Sequence, residues 1–226
     1  MHILLTDALT CPRCGPDFGL ILLAERIQER RVAEGHLGCA NCRSRYPIRH
    51  RVADLRLGES ASTEPAEPAA SADAGETEGE AGMRLAALMG LAGASGLALV
   101  AGPGARHAPA VSALVPELEV IAVSGSADAV DADADAKVSR VLASGASLPF
   151  RGGLRAAALT GGADDARLRE GLRVLAPGAR LVVDPAPADA AGRLRGLGAE
   201  VLLDEEGVAV ARAPGRPVEL RYNTVR

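Results

Sequence analysis

The chain has 226 residues, with 25 Lys and Arg against 29 Asp and Glu, a net charge of −4, and its only aromatic residues are two Phe and two Tyr. So few aromatic side chains argue against a base-stacking platform for single-stranded nucleic acid. The acidic balance excludes a domain that is basic throughout and grips a phosphate backbone.

The four cysteines lie near the start of the chain in two CxxC pairs with 24 residues between them: Cys11, Cys14, Cys39 and Cys42. Two residues between thiols allow both sulfurs of a tight turn to reach one tetrahedral metal ion. Gly15 and Gly38 flank the pairs, where such a knuckle needs a positive φ. The spacing predicts a structural Zn²⁺ site with four Cys ligands, and a disulfide pair or a redox CxxC is the alternative.

The residues around the cysteines predict a small unit over residues 1–58. The stretch between the two pairs is typical of a hairpin, and two knuckles at the end of a hairpin make a zinc ribbon. A unit of this size cannot hold itself together by its core alone, so the metal is expected to supply folding energy.

An acidic segment follows the ribbon. Residues 59–82 hold seven acidic residues and no basic one, and residues 58–82 contain no Val, Ile, Leu or aromatic residue. Such a segment cannot bury enough apolar surface to offset the entropy of ordering. It is therefore interpreted as a disordered acidic linker.

The start of the chain shows no secretory signal pattern, which favours a cytoplasmic protein. The uncharged stretch Leu85–Ala105 is long enough to cross a membrane, but glycines and a proline interrupt it. It is interpreted instead as a helix followed by a strand, and no membrane association is expected.

Residues 83–214 alternate short apolar runs with helical stretches, which predicts a doubly wound parallel sheet. The last two strands are joined by a short acidic turn and predict a C-terminal antiparallel hairpin. Residues 215–226 are interpreted as a tail. The predicted strands are Leu97–Ala101, Glu119–Val123, Val138–Leu142, Ala156–Thr160, Ala179–Asp184, Glu200–Leu203 and Gly207–Ala211. The predicted helices are Arg84–Leu91, Ala108–Val115, Asp165–Leu175 and Asp189–Leu197.

The first quarter of the chain resembles the zinc domain of the activator subunit of tRNA and release-factor methyltransferases. The resemblance rests on a leucine-rich strand at Leu4–Leu9, the two CxxC pairs, the tripeptide Tyr46-Pro47-Ile48 and a short strand at Val52–Leu57. It implies a domain that binds a protein partner, expected to be a methyltransferase. In some bacterial proteins a similar ribbon is fused ahead of the methyltransferase itself.

Residues 83–212 resemble the class I S-adenosylmethionine-dependent methyltransferase fold, a Rossmann-like α/β sheet. The resemblance rests on the helix–turn–strand Leu168–Asp184, the stretch Ala146–Phe150 and the strand and glycine loop Leu97–Arg106. It implies a cofactor site made by Gly102 and Gly104 of that loop together with Ser124 and Ser144. In the family, the positions of Ser124 and Ser144 are carboxylates that bind the ribose and the adenine edge.

Three carboxylates of the family pattern are missing. Val100 stands where the first would open the glycine loop, and Ser124 and Ser144 stand at the other two positions. A hydrogen bond to a charged acceptor contributes about 1.5–3 kcal/mol, against about 1 kcal/mol for a neutral one. The sequence therefore leaves the binding of S-adenosylmethionine in doubt and identifies no catalytic residue.

Three functions fit this pattern. The first is a non-catalytic, partner-binding or regulatory scaffold with zinc and a degenerate methyltransferase-like domain, in other words a pseudoenzyme. The second is an active methyltransferase with an unusual cofactor pocket, whose ribbon would recognise a protein or an RNA through a basic edge. That edge consists of Arg43, Arg45, Arg49, Arg51 and Arg56. The third is a sheet that binds another nucleotide, with Arg106 at a phosphate.

Overall fold

The computed structural model describes residues 1–57, 76–126 and 137–215. The predicted linker lies outside the described residues over 58–75, and so does the predicted tail over 216–226. None of the helices among the described residues is long and apolar enough to cross a membrane.

Twelve strands and four helices make up the described fold. The strands are β1 Thr10–Cys11, β2 Gly15–Gln28, β3 Arg31–Cys39, β4 Arg45–Arg49, β5 Val52–Asp54, β6 Gly96–Ala101, β7 Leu118–Ser124, β8 Val138–Leu142, β9 Leu154–Thr160, β10 Leu175–Asp184, β11 Glu200–Glu205 and β12 Val208–Arg212. The helices are α1 Glu78–Met89, α2 Ala108–Leu114, α3 Asp165–Arg173 and α4 Ala190–Gly196. Two 3₁₀ helices, Ile3–Asp7 and Pro103–His107, complete the fold.

The strands form one sheet in the order β1-β2-β3-β4-β5-β8-β7-β6-β9-β10-β12-β11. Strands β8, β7, β6, β9 and β10 are parallel, whereas β12 runs antiparallel to both β10 and β11. The predicted Rossmann-like doubly wound sheet with a C-terminal antiparallel hairpin is thus confirmed. Its strands are nearly continuous apolar runs, as expected for strands that are covered on both faces.

Helix α1 begins earlier than predicted. Thr77 caps the helix: its hydroxyl accepts from the backbone of Glu80, and the Glu80 carboxylate accepts from the backbone of Thr77. This reciprocal cap and the acidic first turn stabilise the helix N-terminus. The prediction that the acidic linker extends to residue 82 is therefore wrong for Glu78–Gly82, which forms the start of α1.

The leucine-rich start of the chain is a 3₁₀ helix, so the predicted strand at Leu4–Leu9 is wrong. The Nδ1 atom of His2 accepts a hydrogen bond from the backbone of Leu4 and caps this helix. The backbone N–H groups of Leu5 and Ala8 donate to the carbonyls of His2 and Leu5, which is the three-residue spacing of a 3₁₀ helix.

The ribbon joins the sheet through backbone hydrogen bonds. Strand β5 pairs in parallel with β8, and the backbone N–H of Leu55 donates to the carbonyl of Leu142. At a second point, the N–H of Thr10, the residue before the first cysteine, donates to the carbonyl of Pro149 at 2.9 Å. The ribbon strands and the doubly wound strands therefore belong to one hydrogen-bonded sheet. The predicted boundary between two domains stays a prediction.

One hydrophobic core also crosses the junction. It contains Leu5, Leu9, Leu37, Tyr46 and Ile48 of the ribbon, together with buried side chains of β6–β10 and Phe150. Phe150 is fully buried and forms an isolated antiparallel bridge with Leu9. Because side chains from both parts share this core, the ribbon and the sheet are expected to unfold together.

A buried ion pair lies beside the junction. The guanidinium of Arg31 donates two hydrogen bonds of 2.9 Å to the carboxylate of Glu119 in β7. The hydroxyl of Ser139 in β8 donates to the same carboxylate, and the backbone of His2 donates to that hydroxyl at 2.8 Å. Arg31 is only 8% exposed, so its charge depends on Glu119 for compensation.

The turn between β2 and β3 offers a test of local strain. Glu29 and Arg30 both have positive φ, 49° and 64°, which costs a side chain other than Gly or Asn about 1–2 kcal/mol. Replacing the pair as Glu29→Asn with Arg30→Gly supplies the residues that such a two-residue turn favours. We expect the free energy of unfolding to rise by about 1–2 kcal/mol in urea.

The turn between β11 and β12 is the control. Glu206 has a φ of 51°, but Gly207 already occupies the following position. Glu206→Asn should therefore stabilise the chain less than the double substitution at residues 29 and 30 does. An unchanged or lower stability of the double variant at residues 29 and 30 would contradict this account of the turn.

Candidate functional site

The four cysteine sulfurs converge on one point. All four Sγ atoms lie within 4.8 Å of one another, with 3.7 Å between Cys11 and Cys42 and 3.8 Å between Cys39 and Cys14. A tetrahedral Zn²⁺ with bonds of about 2.3 Å requires sulfurs about 3.8 Å apart. The donor set and its spacing therefore fit a zinc ion. Four protein ligands would close the shell of such an ion, and closed zinc sites are structural rather than catalytic.

Local backbone geometry forms the two knuckles. Gly15 follows the first pair with a φ of 93°, as predicted. The prediction for Gly38 is wrong, because Arg43 takes the left-handed conformation of the second knuckle with a φ of 62°. That knuckle is closed by hydrogen bonds from Cys39 N–H to the carbonyl of Ser44 and from Arg43 N–H to the carbonyl of Cys39.

Polar groups surround the sulfurs. The Ser44 side chain and backbone lower the pKa of the Cys42 thiol to about 6. The Asn41 amide donates to Cys14 Sγ at 3.3 Å and lowers that pKa, but burial and the other three sulfurs raise it to about 11 overall. The Tyr46 hydroxyl lies 3.3 Å from Cys11 Sγ. These outer groups orient the sulfurs and stabilise thiolate charge, as expected around a metal.

A second candidate site lies at the carboxyl ends of the parallel strands, where sheets of this kind bind ligands. The glycine loop follows β6, and the N–H of Gly102 donates to the carbonyl of Val123 in β7. Ser124 ends β7, and its carbonyl accepts from Ala143, the residue before Ser144. The structure thus places Gly102, Gly104, Ser124 and Ser144 along one edge of three neighbouring strands. Their roles in binding stay predictions.

The open sides of the glycines face protein. A Cβ on Gly102 would collide with the carbonyl oxygen of Thr160, and a Cβ on Gly104 would lie 2.7 Å from the Cγ2 atom of Thr160. The Thr160 hydroxyl accepts from Gly104 N–H at 2.7 Å and donates to the carbonyl of Ala101 at 2.8 Å. The strand order reverses between β6 and β9, and sheets of this kind form a ligand crevice at such a point. Thr160 ends β9, and its hydroxyl bridges this crevice to the glycine loop that follows β6.

Two further polar side chains at this edge, those of Ser124 and Asp184, bond within the protein. The Ser124 hydroxyl, which is almost fully buried, accepts from the backbone of Ser126 at 3.1 Å, and Ser144 is exposed. The Asp184 carboxylate at the end of β10 pairs with Arg84 of α1 at 2.6 Å. The residues predicted to contact S-adenosylmethionine therefore offer neutral hydroxyls, and the carboxylate at the end of β10 is paired within the protein.

The segment after β8 is held by helix α3. The Glu170 carboxylate accepts from the backbone of Leu148 at 2.9 Å, and the Arg173 guanidinium donates to the carbonyls of Leu148 and Phe150, each at 2.8 Å. Arg173 also pairs with Glu170, whose pKa lies below its usual value because these bonds outweigh burial. No local sequence pattern indicates this role of α3, since the bonded partners are more than 20 residues apart in the chain.

The bridge made by Thr160 can be tested by removing the hydroxyl that makes its two hydrogen bonds. Thr160→Val keeps the shape but leaves Gly104 N–H and the Ala101 carbonyl without this partner, so we expect a loss of about 1–3 kcal/mol in the free energy of unfolding. Thr160→Ser keeps the hydroxyl and is the matched control, with a smaller loss. Chemical denaturation measures both, and equal losses would contradict the bridge.

Comparisons with known proteins find similarity at the level of solved structures alone. No family model and no curated protein matches the chain. The [4+2]-cyclase SpnF shares 19% identity at a TM-score of 0.47, over 59% of this chain and 81% of that chain. A geranyl diphosphate C-methyltransferase from Streptomyces coelicolor A3(2) shares 14% identity at a TM-score of 0.48, over 66% of this chain and 90% of that chain.

Two further similar structures are described as methyltransferases. The antibiotic-resistance methyltransferase Kmr shares 17% identity at a TM-score of 0.43, over 62% of this chain and 94% of that chain. Another is an S-adenosylmethionine-dependent methyltransferase from Aquifex aeolicus. At these identities and TM-scores, the similarities imply nothing about the activity of this chain.

Proposed function

We propose that this chain is a zinc-binding, non-catalytic protein whose methyltransferase-like sheet acts as a partner-binding or regulatory scaffold. The bridge at Thr160 is the observation that carries the proposal. A cofactor loop works because bare glycine backbone can approach the ligand. Here the bare backbone of Gly102 and Gly104 approaches Thr160 instead.

Charge supports the same conclusion. A hydroxyl at Ser124 or Ser144 is a neutral acceptor, and the carboxylate of Asp184 is compensated by Arg84. Loss of three charge-assisted contacts would weaken the binding of S-adenosylmethionine by several orders of magnitude. An active methyltransferase with an unusual pocket, the second function considered, would have to bind its cofactor without any of these groups. Binding of another nucleotide at Arg106 gains no support from these contacts.

The ribbon is proposed to stabilise the sheet and to leave other surfaces free for a protein partner. In the activator family that the ribbon resembles, the zinc domain binds a methyltransferase. Here the edge of β5 pairs with β8 of the same chain, so a further partner must contact another surface. RNA is the weaker candidate, because Arg56 of the predicted basic edge already pairs with Asp54 at 2.7 Å.

Methyl transfer tests the proposal. Purified, zinc-loaded chain is incubated with S-adenosylmethionine that carries a labelled methyl group, together with RNA and protein extracts from the source cells. We expect no incorporation above that of heat-denatured chain. Incorporation that depends on the folded chain would overturn the proposal in favour of an active methyltransferase. Co-purification of a second protein in stoichiometric amount would identify the partner of the scaffold.

A further inference from the structure

The ribbon has an open strand edge. On its outer side, β2 pairs with β1 only at Gly15 and Gly19. Over Leu20–Gln28, no strand among the described residues other than β3 pairs with it. An unpaired edge presents a row of N–H and C=O groups that another strand can complete. In the strand order, only the short β1 lies beyond β2, so the described sheet leaves this side open.

Exposed aliphatic side chains lie on this open segment. Ile21 is 57% exposed, Leu23 49% and Ile27 49%. Clusters of exposed apolar side chains mark interaction sites more often than single ones do. The segment carries two charged residues: Arg26 pairs with Glu34 at 3.3 Å, and the exposed Glu25 lies 3.8 Å from the imidazole of His36. The edge thus offers apolar contacts, with Glu25 as its one carboxylate.

We infer that Leu20–Gln28 pairs antiparallel with the same segment of a second copy of this chain, about a two-fold axis at Ala24. An antiparallel edge is complementary to itself under such an axis. Ile21 and Ile27 are equidistant from Ala24, so each Ile21 lies opposite Ile27 of the other copy. Aliphatic pairs across two strands are a favourable arrangement.

The size of the contact sets its expected strength. Nine residues at about 3.3 Å per residue make an edge about 30 Å long. With side chains on both faces this buries on the order of 500 Å² per copy, near the lower limit of a specific interface. Bulges beside Arg26 twist the strand end, one of the devices that limit edge pairing. The dimer is therefore reversible, with a dissociation constant in the micromolar range.

Sedimentation equilibrium of the full, zinc-loaded chain tests the dimer from about 1 μM to about 500 μM, a range that brackets micromolar affinity. The expected mass rises with concentration from 23.0 kDa toward twice that value. Ile21→Lys with Ile27→Lys places like charges opposite each other twice, and the dissociation constant should rise at least about 30-fold. Ile21→Lys with Ile27→Glu places opposite charges there and should stay within about 10-fold of the unmodified chain.

The control variant adds the same two positive charges at exposed positions outside the ribbon. Met83→Lys with Leu114→Lys changes two exposed apolar side chains, 60% and 48% exposed, outside the ribbon, and should not alter the dissociation constant. Zinc content and circular dichroism confirm that every variant is folded. A chain that is monomeric throughout the range overturns the inference. So does equal weakening by the two variants of residues 21 and 27, or an edge that instead binds a different protein.

Discussion

Replacing Cys14 by Ser is expected to reduce bound zinc to far below one ion per chain and to lower the melting temperature of the whole chain. Structural zinc contributes about 10–16 kcal/mol to the folding of isolated zinc-finger peptides near neutral pH. Here the ribbon shares its core and its sheet with the rest of the chain. Loss of the ion should therefore destabilise the chain by several kcal/mol, in a single unfolding transition.

Metal analysis and scanning calorimetry of the unmodified chain and of Cys14→Ser measure this effect. Arg13→Ala is the matched control, since Arg13 lies between two cysteines of the same knuckle and offers no metal ligand. It should keep one zinc per chain and nearly the same melting temperature. Two separate transitions in the unmodified chain, with only one shifted by Cys14→Ser, would contradict a shared core.

Replacing Glu119 by Gln is expected to cost about 3–5 kcal/mol of stability, because removal of one partner of a buried pair leaves an uncompensated charge. The charge is that of Arg31, whose side chain is 10% exposed, against 15% for Glu119. Replacing both, as Arg31→Met with Glu119→Leu, removes both charges and should recover a large part of the loss. Urea denaturation of the unmodified chain, of Arg31→Met, of Glu119→Leu and of the double variant completes the double-mutant cycle.

An exposed pair in the same sheet is the control. Arg212 and Glu200 lie 2.6 Å apart, with side chains 44% and 62% exposed. Glu200→Gln should cost less than about 1 kcal/mol, since water screens exposed pairs. If Glu119→Gln cost no more than Glu200→Gln, the ion pair at the junction would not hold the ribbon to the sheet.

Elements that follow from local pattern could be predicted from the sequence. The run Leu97–Ala101 predicts β6, which the structure gives as Gly96–Ala101, because a buried parallel strand is a short apolar run between turns. The four cysteines were predicted to meet because two CxxC pairs have few other arrangements. The start of α1 was missed, although Thr77 and Glu80 have the spacing of a capping box.

Features that depend on distant partners could not be predicted. Arg31 and Glu119 are 88 residues apart in the chain, and no local pattern pairs them. Likewise, the glycine loop reads as a ligand cradle until Thr160, 56 residues after Gly104, is seen to bond to it. The leucine run at the start was mistaken for a strand because apolar runs of this length fit either structure.

Calorimetric titration of the zinc-loaded chain with S-adenosylmethionine and S-adenosylhomocysteine tests the proposed function most directly. Because the glycine loop is bridged by Thr160 and the three carboxylates are absent, we expect no binding tighter than about 100 μM, or roughly 5.5 kcal/mol. A dissociation constant below about 100 μM for either compound, at one site per chain, would contradict the proposed non-catalytic scaffold.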